Sequence, residues 1–266
     1  MARWTEVSYT YDGSLDGFFT CVYESYVNRE RPACFAAPGQ VQLCLYPERS
    51  VLTDPAHAAR VRASLPKKLS PEGYRMVLEG FLTCLPEKEK QLYDFIALGY
   101  ALGPAVLRNL TDDRVLTLNR ALLHLRGEAH LLKGFVRFSD QEGVLLAEIT
   151  PKNRVLPLLQ PHFCARLNAE RFVIYDRSHQ EALFYEPGRW AILPLDEFQI
   201  HAPGKGELEM RRLWRRFYDT VAIEGRYNPK LRRTHMPQRY WGNMTEFQTD
   251  APQISERSAA KQDGNA

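Results

Sequence analysis

Apolar residues recur along this chain with two periods, one of about four residues and one of two, and the change between them divides it. Val7 to Tyr11 alternates and predicts a short strand, closed by the turn signal Asp12-Gly13. Ser14 then stands as an N-cap before Leu15, Phe18, Phe19, Val22, Tyr23 and Tyr26, the spacing of one buried helical face. Pro38-Gly39 and Pro47 bracket a second alternating run, Val41 to Tyr46, which predicts an edge strand. Asp54-Pro55 opens a short helix to about Ala63, and Ser70-Pro71 repeats that start signal ahead of Tyr74, Val77, Leu78, Phe81 and Leu82. Pro86 opens a helix with the stripe Leu92, Phe95, Ile96 and Leu102. Another follows Thr111-Asp112-Asp113, carries Val115, Leu118, Leu122, Leu125 and Leu132, and stops at Gly134.

Past Gly134 the period becomes alternating. Phe135 to Phe138 and Val144 to Ile149 predict a hairpin around Asp140-Gln141-Glu142-Gly143, and Arg154 to Leu167 predicts a helix. Phe172 to Tyr175, Ala182 to Tyr185 and Trp190 to Leu193 predict a meander, with turns at Arg177-Ser178-His179 and Pro187-Gly188. The fold class expected is α+β: an N-terminal strand-helix unit and a helical cluster packed with a five-stranded, mainly antiparallel sheet, then a C-terminal amphipathic basic helix and arm. Residues 1–247 are expected to form one compact domain, or two tightly joined lobes of about 1–133 and 134–247. The polar tail, 248–266, is expected to be disordered.

Composition adds exclusions. With 266 residues, 44% of them hydrophobic, the chain can bury a sizeable core. Its start holds no charged-then-apolar signal, and no run approaches the roughly 18 apolar residues of a membrane span, so a cytoplasmic protein with no membrane association is expected. The five cysteines, Cys21, Cys34, Cys44, Cys84 and Cys164, are scattered without a C-x-x-C pair or a cluster-binding triplet. They are read as reduced thiols, with Cys84 and Cys164 in the core. No metal site and no cofactor is expected. His124 and His130, six apart, miss the helical i, i+4 spacing of a metal pair. The helix after Asp113 carries cations off its stripe but lacks a helix-turn-helix signature, so these read as a solvated face.

Charge is ordinary in sum and uneven in place. Between Arg211 and Trp241 nine cationic residues meet two anionic ones, about +7, whereas the whole chain carries +3. Met210, Leu213, Trp214, Phe217 and Val221 form the stripe of the helix that begins this stretch. Arg211 with Arg215 and Arg212 with Arg216 stack like charges at i, i+4, an arrangement that calls for an anionic partner within the fold or outside it. Nucleic-acid phosphates are one such partner, because their neutralisation releases counterions. The candidate contacts are Arg211, Arg212, Arg215, Arg216, Arg226, Asn228, Lys230, Arg232, Arg233, His235 and Arg239, with Tyr240 and Trp241, and also Tyr227, as base-stacking aromatics. An arm that packs its aromatics on the core and leaves its cations in water fits the same composition.

The opening YTYDGSLDGFFTCVYESY and the closing FYDTVAIEGRYNPKLRRTHMPQRYW resemble the two ends of a bacterial family of DNA metabolism or repair proteins. Its members accompany a radical-SAM protein that acts on DNA, and some are fused to a uracil-DNA-glycosylase-like domain. The resemblance covers Tyr9 to about Phe247. It implies a DNA-binding accessory protein whose partners are DNA, through its phosphate backbone, and the radical-SAM protein; it carries over no catalytic residues. This chain has neither a glycosylase's G-x-D-P-Y motif nor the cluster-binding cysteines of the partner. Two alternatives stand beside that reading. One is an enzyme acting on DNA, a nuclease or base-processing activity, with His235 as general acid or base and Glu224 or Asp12 as its carboxylate. The other is a protein-interaction subunit without DNA affinity.

Overall fold

The computed structural model describes residues 4–39, 45–196, 204–221 and 228–247. The Val41–Tyr46 run lies for the most part outside them, as do Arg226, Tyr227, Glu224 and the tail. The fold is α+β. The chain divides into two compact units, Met1–His130 with Pro151–Leu159, and Leu131–Thr150 with Gln160–Ala266.

The N-terminal unit is built on a βαβ crossover. Strand β1 (Thr5–Thr10) leads through helix α1 (Leu15–Asn28) to β2 (Glu30–Ala36), which pairs with it in parallel; β3 (Glu48–Ser50) adds on the other side, giving the order β2-β1-β3. Ser14 caps α1 as expected, its hydroxyl accepting the Gly17 N–H at 2.9 Å. Gly17 has a reason to be glycine: a Cβ there would collide with the Asp12 carboxylate and stand 2.8 Å from the Thr53 hydroxyl. The sequence pattern missed β2, because Pro32 breaks its alternation. The register skips at that point from Val7 opposite Pro32 to Ser8 opposite Cys34, a bulge that absorbs the missing N–H. Cys34 corrects the all-thiol expectation, since it is disulfide-bonded, whereas Cys21, Cys84 and Cys164 are free.

Helix α2 (Pro55–Phe81) follows its Asp54 cap and bends at Ser70, whose φ of 86° and ψ of 163° leave the helical region. The two start signals therefore mark two helical arms. Pro71 lacks the N–H needed to continue the ladder and disfavours α geometry at the residue before it. Helix α3 (Lys88–Leu102) crosses α2 closely: a Cβ on Gly99 would lie 2.5 Å from the Leu69 side chain. With α4 (Asp113–Phe135) these helices bury Leu65, Leu69, Leu92, Phe95, Ile96, Leu118 and Leu122 in one core with Tyr9, Phe18 and Phe19.

The C-terminal unit holds a five-stranded sheet in the order β4-β5-β6-β7-β8, formed by Ser139–Gln141, Val144–Ile149, Phe172–Asp176, Glu181–Glu186 and Arg189–Pro194. Three of its pairings are antiparallel, but β5 and β6 run parallel because helix α5 (Leu156–Arg166) connects them as a crossover. The first strand begins at Ser139 rather than Phe135, since α4 runs on through Gly134 to Phe135. Phe138, Phe163 and Phe172 pack mutually edge to face, and Phe172 stacks on Tyr185 at 4.8 Å. The buried Asp176 carboxylate closes the β6–β7 turn by accepting the N–H groups of Ser178 and His179 at 3.0 and 3.2 Å. Helices α6 (Lys205–Val221) and α7 (Pro229–His235) complete the unit with two short 3-10 turns, Gln238–Asn243 and Thr245–Phe247. Among the described residues no helix is long and apolar enough to cross a membrane.

Candidate nucleic-acid interface

The arginines of α6 are not equivalent. Arg211 donates from Nε to Glu207 at 2.8 Å, one turn back, and from Nη2 to the Ser139 hydroxyl at 2.5 Å, so it anchors the helix to β4. Arg215 folds back on the Arg211 carbonyl at 3.3 Å. Arg212 and Arg216 lie exposed, and among the described residues no ion pair or side-chain hydrogen bond engages either guanidinium. The stacked like charges are thus half compensated within the fold and half left to solvent.

The apolar stripe of α6 departs from expectation. Met210, Leu213, Phe217 and Val221 are 55–64% exposed. Among the described residues, Trp214 and Tyr218 tie the stripe's flank down. The Trp214 indole N–H donates to Glu246 at 3.1 Å, and Tyr218 meets Phe247 edge to face.

Glu246 is the residue that sequence reasoning missed. Its side chain is 1% exposed and accepts two hydrogen bonds from Arg137, at 2.7 and 3.1 Å, besides that from Trp214. Arg137 also lies over the Trp214 ring at 5.3 Å. Burial pushes the Glu246 carboxyl up, but the Arg137 and Trp214 hydrogen bonds, the guanidinium charge and its own backbone N–H outweigh it, and the pKa falls below the usual range. A lone Glu in a polar stretch gives no periodic signal for such burial.

In the arm, Asn228 is a cap, its side-chain oxygen accepting the Leu231 N–H at 2.9 Å ahead of Pro229. Lys230 and Arg233 are exposed; Arg233 donates to the Pro229 carbonyl at 3.3 Å. Arg232 covers Trp241 at 5.1 Å and Phe247 at 5.5 Å. Trp241 stacks on Phe247 at 4.6 Å and donates to the Met236 carbonyl, which holds it within the arm. Tyr240, expected as a stacking platform, is 2% exposed, set against Phe135 and covered by the Arg239 guanidinium, which also hydrogen-bonds its hydroxyl. Its ring is core, because the arm needs its own apolar anchor.

Of the residues proposed for acid–base chemistry, Glu224 lies outside the described residues. His235 is exposed, and among the described residues no carboxylate hydrogen-bonds it. Asp12 belongs to the N-terminal unit and holds a turn, accepting the N–H and hydroxyl of Ser14 and the hydroxyl of Thr53. Slight burial pushes its pKa up, but these hydrogen bonds outweigh that and hold it below the usual carboxylate range. Among the described residues no group of three metal-ligating side chains converges.

Residues 86–246 match the family model of a domain of unknown function, DUF4130. The chain belongs to that family. The DUF4130 match takes in α6, α7 and Arg137 and ends on Glu246, so it spans both partners of the buried pair that fixes the arm. No curated protein matches the chain.

A further buried carboxylate lies within the DUF4130 match. Glu128 on α4 accepts the N–H groups of Lys152 and Asn153 and the Asn153 amide at 2.6 Å; Asn153 in turn accepts the Cys84 N–H and approaches His124 at 3.0 Å. This network clamps residues 151–153 onto α4 in the N-terminal unit. Cys84, whose backbone N–H it fixes, is exposed rather than in the core, and Cys164 is half-buried.

Proposed function

We propose that the chain is a DNA-binding accessory protein that works beside a radical-SAM protein, with Arg212, Arg216, Lys230 and Arg233 contacting phosphates. The observation that carries this reading is the set of exposed cations on α6 and α7 that no carboxylate among the described residues pairs with. Arg211, Arg232 and Arg239 serve the arm's own packing, and Asn228 its capping, so the contacting set is narrower than the sequence suggests. Neither Tyr240 nor Trp241 offers an open ring for stacking. The reading is therefore of sequence-independent binding to the phosphate backbone.

The exposed face of Met210, Leu213, Phe217 and Val221 supports the second half of the proposal. Apolar side chains in such a row lose water when another protein covers them. The radical-SAM partner, which the family resemblance implies, is the candidate cover.

A salt series of binding to duplex and single-stranded DNA, with and without the co-expressed partner, tests both halves. Affinity that falls steeply with salt is expected, with a flatter slope in the R212A/R216A variant. Absent or salt-insensitive binding, alone and in the complex, sinks the DNA reading. Co-purification that survives nuclease treatment and is lost in L213E/F217E supports the partner contact.

A further inference from the structure

The two edges of the five-stranded sheet are treated differently. At β4 the Asp140 N–H donates to the Glu207 carboxylate at 3.4 Å and the Ser139 hydroxyl accepts from Arg211, so α6 shields that edge. At β8 the sheet ends in the open. Trp190 and Leu193, both large and apolar, are 55% and 51% exposed there.

Which backbone groups face outward follows from the ladder. Leu195 donates its N–H to the Gln180 carbonyl at 2.9 Å, and the register continues with Leu193 opposite Ala182 and Ala191 opposite Phe184. Alternation along an antiparallel strand then turns the N–H and C=O groups of Arg189, Ala191 and Leu193 toward β7, and those of Trp190 and Ile192 away from it. Pro194 shares the outward position but has no N–H to offer. Among the described residues no hydrogen bond engages the outward groups of Trp190 or Ile192.

An open edge is a template for another strand, and proteins that keep one single place charge or proline along it. Here Arg189 and Pro194 stand at the ends, and the middle, Trp190 to Leu193, is apolar throughout. We propose that β8 pairs antiparallel with β8 of a second copy of this chain, continuing the sheet across a twofold axis. The strand is complementary to itself in one register. With Ala191 opposite Ala191 of the second copy, Trp190 opposes Ile192, and each outward N–H of these two residues meets an outward C=O of the other strand. Pro194 then falls beyond the paired donors, where its missing N–H costs nothing. Sliding to Ile192 opposite Ile192 sets Trp190 against Pro194 and leaves the Trp190 carbonyl without a donor. The favoured register also lays each Arg189 stem along Leu193 and keeps the two guanidinium groups at opposite ends. A different protein would have to supply the donor spacing and the apolar alternation that β8 already supplies for itself. This inference does not rest on the DNA-binding reading, since α6 shields the other edge.

Sedimentation velocity and thiol cross-linking on the full 266-residue chain test it. The average mass should rise from monomer toward dimer between low micromolar and a few hundred micromolar protein, the range of a small interface. Trp190→Pro removes an outward donor and leaves the β7 ladder whole, so it should weaken association at least about tenfold with the circular dichroism unchanged. Ala191→Pro, whose N–H faces β7, should instead lower the melting temperature. In a Cys84→Ser background, which removes an exposed thiol, Ala191→Cys should give an intermolecular disulfide on mild oxidation, because a non-hydrogen-bonded pair brings its α-carbons to about 4.5 Å. Leu193→Cys, displaced from its own copy in that register, should not. A chain that stays monomeric across the series, even one whose edge captures an added strand peptide, overturns the pairing of copies. So does a dimer that W190P leaves intact, or cross-linking at Leu193 and not at Ala191. Association lost in L213E/F217E and kept in W190P would belong to the α6 row instead. W190P should bind DNA with the wild-type salt slope, so that failure of either reading leaves the other standing.

Discussion

Glu246 and Arg137 form a buried, two-pronged ion pair across 109 residues of chain, with the Trp214 indole N–H as a third donor to the same carboxylate. This contact joins α6 and the C-terminal turn to the segment that follows α4. Removing the carboxylate strands a guanidinium whose other hydrogen bonds, among the described residues, go to the Gly134 and Val136 carbonyls. Glu246→Ala should cost about 3 kcal/mol, read as a lower urea midpoint at unchanged slope. Glu246→Gln, which keeps two acceptor lone pairs, should cost less.

The same pair sets a pH dependence. The folded-state pKa of Glu246 is depressed, so its contribution is fully present above the ordinary value of 4.5 and disappears as the pH falls through the lowered folded value. Thermal melts of wild type and E246Q should therefore diverge above pH 5 and converge in acid. Parallel curves down to the lowest pH would remove Glu246 from the account.

The arginines of α6 should separate into two kinds. Arg212→Ala with Arg216→Ala should leave the melting temperature within a degree or two and flatten the DNA salt slope by about 2. Arg211→Ala should do the reverse, lowering stability by about 1–2 kcal/mol through loss of its Glu207 and Ser139 bonds. Equal effects of both variants on the slope would mean that Arg211 leaves its intramolecular partners when DNA binds.

Thiol labelling distinguishes the free cysteines. Burial pushes the Cys21 thiol up to about 12, with the nearby Asp12 charge adding to the shift, whereas Cys84 is exposed. Iodoacetamide followed by peptide mass spectrometry should modify Cys84 within minutes and Cys21 only on unfolding.

Glu128 should be a stability residue with no part in DNA binding. Its carboxylate satisfies two backbone N–H groups and the Asn153 amide, so Glu128→Ala should cost about 3 kcal/mol while the salt slope stays unchanged.

How much of this was legible in the sequence differs by element. Helices with a cap and a long apolar stripe were readable: Ser14 before Phe18 and Val22, and Asp54-Pro55 before the first arm of α2, fell where the letters place them. Strand β2 was not, because Pro32 breaks its period and a bulge, rather than a turn, accommodates the proline. The parallel β5–β6 pair was hidden as well, since alternation reports which side chains share a face and says nothing of strand direction. At the candidate interface, charge counting located the cations but did not distinguish Arg211, tied to Glu207, from exposed Arg212 beside it. Nor did composition foretell that Tyr240 would be core and the Leu213–Phe217 row open, because both depend on what the rest of the unit presents.

Helix α6 carries its exposed apolar row and its exposed arginines on adjoining faces of a single rod, with the centres of the Leu213–Phe217 and Arg212–Arg216 pairs about 100° apart. A phosphate backbone on the arginines and a protein on the apolar pair would meet along the shared edge between Leu213 and Arg216. Each ligand would then feel the other across that seam. A saturating dose of one should change the affinity for the other.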